Sequence, residues 1–208
     1  MSRRERFPPT VAIVDLRPTQ ITVGYREVER KRGRFRDRAK LGGSRLSKYS
    51  IPVVRGPRNQ LFILDHHHMA RALLEEGVDE VAVSLVADLG ALSMEEFWAA
   101  CDRRGWGHPY DAAGERRATS AIPLTISDLA DDPFRSLAGE LRRAGGFAKA
   151  PTPYSEFRWA DFLRRRIDRA AVEGDLDRAL EIALNLARRP EAEQLPGWRR
   201  TTEHGAGA

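Results

Sequence analysis

A single cysteine, Cys101, occurs in the 208 residues. That excludes an internal disulfide framework and a multi-cysteine zinc site, and it suits a reducing compartment. Lysine is almost as scarce, with 4 residues against 31 arginines. No apolar run approaches the ~18 residues of a membrane-spanning helix, so no membrane partner is expected. The opening stretch, MSRRERFPPTVAIVDL, lacks the apolar h-region of a secretory signal, and a cytoplasmic location is expected. What is present is a charged chain: 31% of residues are Asp, Glu, Lys or Arg and 41% are hydrophobic, enough for one main core.

The charge is unevenly placed. Residues 1–60 hold 16 Lys/Arg and 5 Asp/Glu, a net of +11, whereas residues 61–208 hold 19 and 25, a net of −6. Such asymmetry points to an anionic partner near the N-terminal half, and phosphates of a nucleotide or of a nucleic acid both fit. Arginine offers a planar fork of donors to oxyanions. A genome rich in G+C inflates Arg over Lys equally well.

Patterning gives an α+β fold class. Thr10–Leu16 reads as a strand, followed by a helix with Thr19 or Thr22 as N-cap and a body over residues 23–38. Gly42-Gly43-Ser44 marks a loop. Ile51–Val54 and Leu61–Leu64 read as strands joined by a turn. The helix Met69–Glu76 ends at Gly77, and Val81–Val86 is a further strand. Beyond residue 90 the pattern is helical. Ser93 and Glu96 form a capping box, and Asp132-Pro133 opens a helix to Arg143. Amphipathic helices follow over Ser155–Arg169 and Leu176–Arg188. The spacing predicts a small mixed sheet with helices over residues 10–90, a helical extension over 91–189 and a disordered tail over 190–208.

The junction at Asp65-His66-His67-His68 is the natural functional centre, because a helix that follows a strand turns backbone N–H groups and a positive dipole end toward a phosphate. Asp65 there has two possible roles: it can share a Mg²⁺ with phosphate oxygens, or take a proton from an attacking hydroxyl. It is equally a simple N-cap. His67 and His68 are placed to donate to phosphate oxygens, and Arg71 either folds back onto the phosphate or faces solvent. Adjacent histidines point in different directions, and zinc ligands on a helix favour i, i+4 spacing, so an all-histidine zinc site is not expected.

Several segments then become recognisable in order. Leu16-Arg17-Pro18-Thr19-Gln20, Val23-Gly24, Val28, Lys31, Ile51-Pro52-Val53-Val54 and Asp65-His66-His67-His68 come first. Phe97-Trp98, Asp131-Asp132-Pro133-Phe134-Arg135-Ser136-Leu137, Gly145-Gly146-Phe147-Ala148-Lys149 and Trp159-Ala160-Asp161-Phe162 follow. Together the chain resembles the ParB-like nuclease family of the ParB/sulfiredoxin superfamily over residues 11–170. The resemblance implies a mixed αβ domain whose strand–turn–helix motif binds nucleotide phosphates. Relatives hydrolyse CTP while clamping DNA, use ATP to phosphorylate a cysteine sulfinate, or phosphorylate free serine with ADP or ATP. This chain departs from the sulfiredoxins in having no Cys beside the histidines. It departs from the serine-phosphorylating motif, Asp-Gly-His-His-Arg, in having His66 for Gly and Met69 for Arg. Histidine tolerates positive φ, so the turn can survive the first change.

Supporting positions complete the expectation. Gln20, Gly24, Glu27 and Lys31 fall at helical spacing, which would place Glu27 as a base or metal ligand and Lys31 on phosphate. The plainer reading is a solvated face with a Glu27–Lys31 ion pair. Thr19, Gln20, Lys31, His66 and Arg71 are the candidate nucleotide-binding residues; Asp65, His67, His68 and Glu27 are the candidate catalytic ones. ATP, ADP or CTP with Mg²⁺, and a small-molecule acceptor, would be the ligands. The expected reaction is phosphoryl transfer or nucleotide hydrolysis. The alternatives are a DNA-binding protein or nuclease, and a non-catalytic nucleotide-binding module.

Overall fold

A computed structural model describes residues 10–40, 50–152 and 154–199. The chain divides into two compact units, residues 1–131 and 132–208. Segment 91–131 therefore belongs with the sheet.

In the first unit a five-stranded sheet has the order β1-β6-β4-β5-β2. Its strands are β1 (Thr10–Ala12), β2 (Leu16–Arg17), β4 (Ile51–Arg55), β5 (Leu61–Ile63) and β6 (Glu80–Asp88). β4 pairs parallel with β6 and antiparallel with β5, in the register Val54↔Phe62. A separate pair joins β3 (Thr22–Val23) to β7 (Ala130–Asp131). Successive strand residues face opposite ways, and here both faces are covered. Val53 and Ile63 join one core with Leu73 of α2 (His67–Glu75). Val54 and Phe62 join another with Phe97 and Cys101 of α3 (Met94–Arg103). This two-sided burial explains why Ile51–Val54 and Leu61–Leu64 are continuous apolar runs rather than alternating ones.

Three local differences from the sequence reading have physical causes. The first strand is broken at Ile13–Asp15 by a 3-10 turn that buries Ile13 and lets its N–H donate to the Asp79 carbonyl at 2.9 Å. Helix α1 begins at Tyr25 and runs to Lys40, because residues 22–23 pair with β7. Gln20 and Gly24 are therefore not on its face, and the four-residue helical stripe expected from Gln20 to Lys31 reduces to Glu27 and Lys31. Helix α2 begins at His67 rather than Met69, with His66 as its N-cap. The Gly42-Gly43-Ser44 loop lies outside the described residues.

The second unit is helical: α4 (Pro133–Arg143), α5 (Ser155–Arg164), α6 (Arg169–Gly174) and α7 (Leu176–Ala187). The expected helix to Arg169 stops at Arg164, and α6 starts afresh because the Asp168 side chain caps the N–H of Ala170. Phe147 stacks on Trp159 at 4.4 Å in a core shared with Leu137, Leu141 and Leu163. Residues 190–199 of the expected tail are folded. Ala192 is buried, and the indole N–H of Trp198 donates to the Ala187 carbonyl at 2.9 Å. Residues 200–208 lie outside the described residues.

Candidate functional site

The segment 17–24 crosses the N-terminal unit as an extended strap, and two histidines of α2 hold it. The Thr19 backbone N–H donates to His67 Nε2 at 3.1 Å, and the Gly24 N–H donates to His68 Nε2 at 3.0 Å. A backbone N–H can only donate, so both Nε2 atoms are acceptors. The phosphate-donor role expected of these rings is therefore not open to Nε2. His67 and Thr19 are buried, and the Thr19 hydroxyl donates to the Ile63 carbonyl at 2.8 Å, tying strap to β5. On its other side the Thr19 carbonyl accepts the His108 N–H at 2.8 Å. Gln20 is buried as well, and its Nε2 donates to the Thr22 carbonyl at 2.7 Å.

The turn between β5 and α2 presents the other two residues of the motif. His66 has φ 68° and ψ 23°, the left-handed region. Its carbonyl accepts the Ala70 N–H at 2.8 Å, which makes it the cap of the helix. The Asp65 Oδ1 accepts the His66 N–H at 2.6 Å, while 79% of the Asp65 side chain stays exposed. The second carboxylate oxygen lies 3.9 Å from His66 Nε2. An exposed carboxylate and imidazole thus sit together at the N-terminus of a nine-residue helix, where the dipole favours anions.

The remaining expected residues are committed elsewhere. Glu27 pairs with Lys31 at 3.3 Å and Arg30 at 2.5 Å, the ion pair of the plainer reading, but with only 13% of the Glu27 side chain exposed the cluster is largely buried rather than a solvated face. Arg32 and Arg36 reach Glu76, the C-cap of α2, at 2.7 and 3.2 Å, so much of the basic stretch is knitted to acidic neighbours. Hydrogen bonding to Glu76 and Glu29 raises the Arg32 pKa further. Arg71 bonds to Glu75, and its Nη1 donates to the carbonyls of Ser127 at 2.5 Å and Leu129 at 3.2 Å. Cys101 is fully buried, and burial pushes its thiol up to about 12, which fits packing rather than nucleophilic chemistry.

Sequence reasoning missed Tyr25. Its backbone N–H donates to Asp131 Oδ1 at 2.8 Å, its hydroxyl donates to the Leu129 carbonyl at 2.9 Å, and its ring lies 5.3 Å from the Arg71 guanidinium. No local spacing could have signalled a bond across 106 residues. Among the described residues no three His, Cys, Asp or Glu side chains converge to hold a metal ion, and no helix is long and apolar enough to cross a membrane.

The family described as Putative ParB-like nuclease matches residues 9–165. The chain is also similar to protein Atu1540 from Agrobacterium tumefaciens, known from a crystal structure. The two are 50% identical and superpose with a TM-score of 0.86, covering 91% of this chain and 96% of that one. Among curated proteins nothing matches.

Proposed function

The chain belongs to the ParB-like nuclease family, and from that membership we propose that it binds a nucleotide at the β5–α2 junction and catalyses Mg²⁺-dependent phosphoryl transfer or nucleotide hydrolysis. The observation that carries this reading is the left-handed turn at His66. It leaves Asp65 and His66 exposed at the helix N-terminus while the next two histidines are spent on holding the strap.

In this reading the phosphates lie against the first turn of α2, and the imidazole of His66 donates to a phosphate oxygen. Asp65 takes the proton of the attacking hydroxyl, from water or a small-molecule acceptor, as the terminal phosphoryl group leaves the nucleotide. A single exposed carboxylate fits Mg²⁺, which is ordinarily held by one or two carboxylates together with phosphate oxygens and water. In that alternative role Asp65 would be its protein ligand rather than the base, and the ion would neutralise phosphate charge. His67 and His68 act by positioning the strap, with Thr19 and Gln20, rather than by touching phosphate through Nε2.

Calorimetry of the full chain with ATP, ADP and CTP in Mg²⁺, paired with detection of released product, tests the proposal. One of the three is expected to bind, and Asp65→Ala is expected to lower turnover by roughly 10²–10⁴-fold, the usual worth of a positioned general base. No binding at millimolar nucleotide, or full turnover in Asp65→Ala, overturns it. Binding without product identifies a non-catalytic module.

A nucleic-acid backbone is the second reading, favoured by the net charge of +11 over residues 1–60. The pairing of Arg30, Arg32 and Arg36 with acidic side chains weighs against it. A gel shift that weakens steeply with salt, together with metal-dependent plasmid cleavage, would favour a nuclease.

A further inference from the structure

The C-terminal unit carries a half-open groove of about 290 Å³. Arg158, Phe162, Arg165 and Arg166 line it from α5 and the turn that follows, and Glu191 and Gln194 line it from the segment after α7. Residues 158, 162 and 165 share one face of α5, at the i, i+4, i+7 spacing of a helix. Arg166 is held in place: its guanidinium lies 3.9 Å from the centre of the Phe162 ring, and its Nη1 donates to the Phe162 carbonyl at 2.9 Å. Its Nε and Nη2, and the guanidinium groups of Arg158 and Arg165, have no partner among the described residues. The lining carboxylate of Asp161 is already bonded to Arg164, whereas Glu191 is uncommitted. Three guanidinium groups without an ion pair therefore share the groove with one such carboxylate, an excess of two positive charges. The helix dipole accounts for arginines at the C-terminal end of α5, but not for Arg158 near its N-terminus, where a cation is disfavoured.

We propose that this groove binds a small phosphorylated polyol, a phosphate monoester that carries free hydroxyl groups. Such an ester brings a charge of about −2 and three strong acceptor oxygens, which match the charge excess and the guanidinium donors. A single carboxylate brings half that charge. Stacking on Phe162 pre-orders Arg166, so less entropy is lost when its remaining N–H groups meet the phosphate. Arg158 and Arg165 are about 10.5 Å apart along the helix axis, a gap that two arginine side chains can close around one phosphate. Glu191 and Gln194 add selectivity for the polyol arm, since a carboxylate accepts from hydroxyl groups and an amide both donates and accepts. Inorganic phosphate has no such arm to offer them. The volume lies close to the ~300 Å³ lower end of small-molecule sites, the scale of a metabolite.

Titration calorimetry of the full chain with glycerol 3-phosphate and ribose 5-phosphate, against inorganic phosphate and glycerol at matched ionic strength, tests the groove. At least one ester is expected to bind roughly tenfold or more tightly than inorganic phosphate, and glycerol not at all. Arg158→Met and Arg165→Met change exposed positions and are expected to fold. Each should weaken the ester roughly tenfold or more, the worth of a lost charge-assisted hydrogen bond. Glu191→Ala removes a hydroxyl acceptor and a negative charge, so it should tighten inorganic phosphate and shrink the advantage of the ester. Asp65→Ala is expected to bind the ester as wild type does, so failure of the nucleotide reading at the β5–α2 junction leaves this result standing. No ester binding at millimolar concentration, an ester no tighter than inorganic phosphate, or undiminished binding in both arginine variants overturns the proposal. Loss of ester binding in Asp65→Ala overturns it too, because the ester would then belong to the β5–α2 junction.

Discussion

His67 Nε2 accepts the backbone N–H of Thr19 at 3.1 Å, across 48 residues of sequence. The next residue, His68, repeats the arrangement on Gly24. Side chains one apart on a helix diverge by about 100°, so the pair grips the strap at two points five residues apart. A histidine cluster that resembles a metal or phosphate site is thus, in part, a backbone clamp.

Breaking the clamp has a defined cost. His67→Ala leaves the Thr19 N–H buried without its acceptor and is expected to destabilise the protein by about 1–3 kcal/mol, with the lost packing adding to this. His67→Gln, whose carbonyl can accept, should recover part of the loss. His68→Ala, at the half-buried end, should cost about 1 kcal/mol. Urea denaturation of the three variants measures this, and a His67→Ala midpoint equal to wild type would refute the clamp.

The turn at His66 makes an independent prediction. With φ at 68°, a β-branched residue there meets the steric penalty of the left-handed region, so His66→Val is expected to lose about 1–2 kcal/mol. His66→Gly has no Cβ to clash and should keep near-wild-type stability while losing the imidazole. If both variants unfold at the same denaturant concentration, the left-handed cap is wrong.

What the sequence revealed and what it hid divides by contact range. Ser93 and Glu96 exchange both capping-box bonds, at 3.2 and 2.8 Å, and Asp132 caps the helix at Pro133, because these features are complete within four residues. The buried runs around Val53 and Phe62 were equally legible, since two-sided burial needs unbroken apolar sequence. Gln20 and Gly24 misled because their spacing is helical while β3 is held by a partner more than 100 residues away. The engagements of Arg71 and Tyr25 with residues 126–131 were invisible for the same reason.

Gly56 follows β4, and a Cβ built on it would lie 2.6 Å from Phe62 Cε2 and 3.0 Å from Phe97 Cε2. Those rings already touch, with centroids 4.5 Å apart, so they have little room to yield. Gly56→Ala is therefore expected to cost about 1–3 kcal/mol by overpacking, measured as a lower urea midpoint. A stabilised variant would show that this face of the sheet is looser than described.

Cys101 carries a pH signature. Burial raises its thiol to about 12, whereas an unfolded chain ionises it near 8.5. Between those values the unfolded chain releases the proton and the folded one keeps it. The contribution of Cys101 is complete below the lower value and is lost as pH rises through the upper one. Stability should fall by up to about 1.4 kcal/mol per pH unit faster in wild type than in Cys101→Ala between pH 9 and 11. At pH 8 a thiol reagent should label the protein only after denaturant is added. Rapid labelling of the folded protein would contradict the burial.

Arg71 spans from α2 to the carbonyls of Ser127 and Leu129 while bonding Glu75 on its own helix. Arg71→Met keeps the packing of the stem and removes every one of those bonds. The amides of Asp128 and Leu129, closed only by the turn bonds to Thr125 and Ile126 at 3.3 and 3.4 Å, are then expected to exchange with solvent faster. Arg71→Lys reaches one carbonyl at most, so it should fall between the two. Because Tyr25 rests on the same carbonyl of Leu129, Tyr25→Phe in the Arg71→Met background should add less than it does alone, the mark of a shared network. Unchanged exchange at both amides in Arg71→Met would show that the guanidinium does not brace this segment.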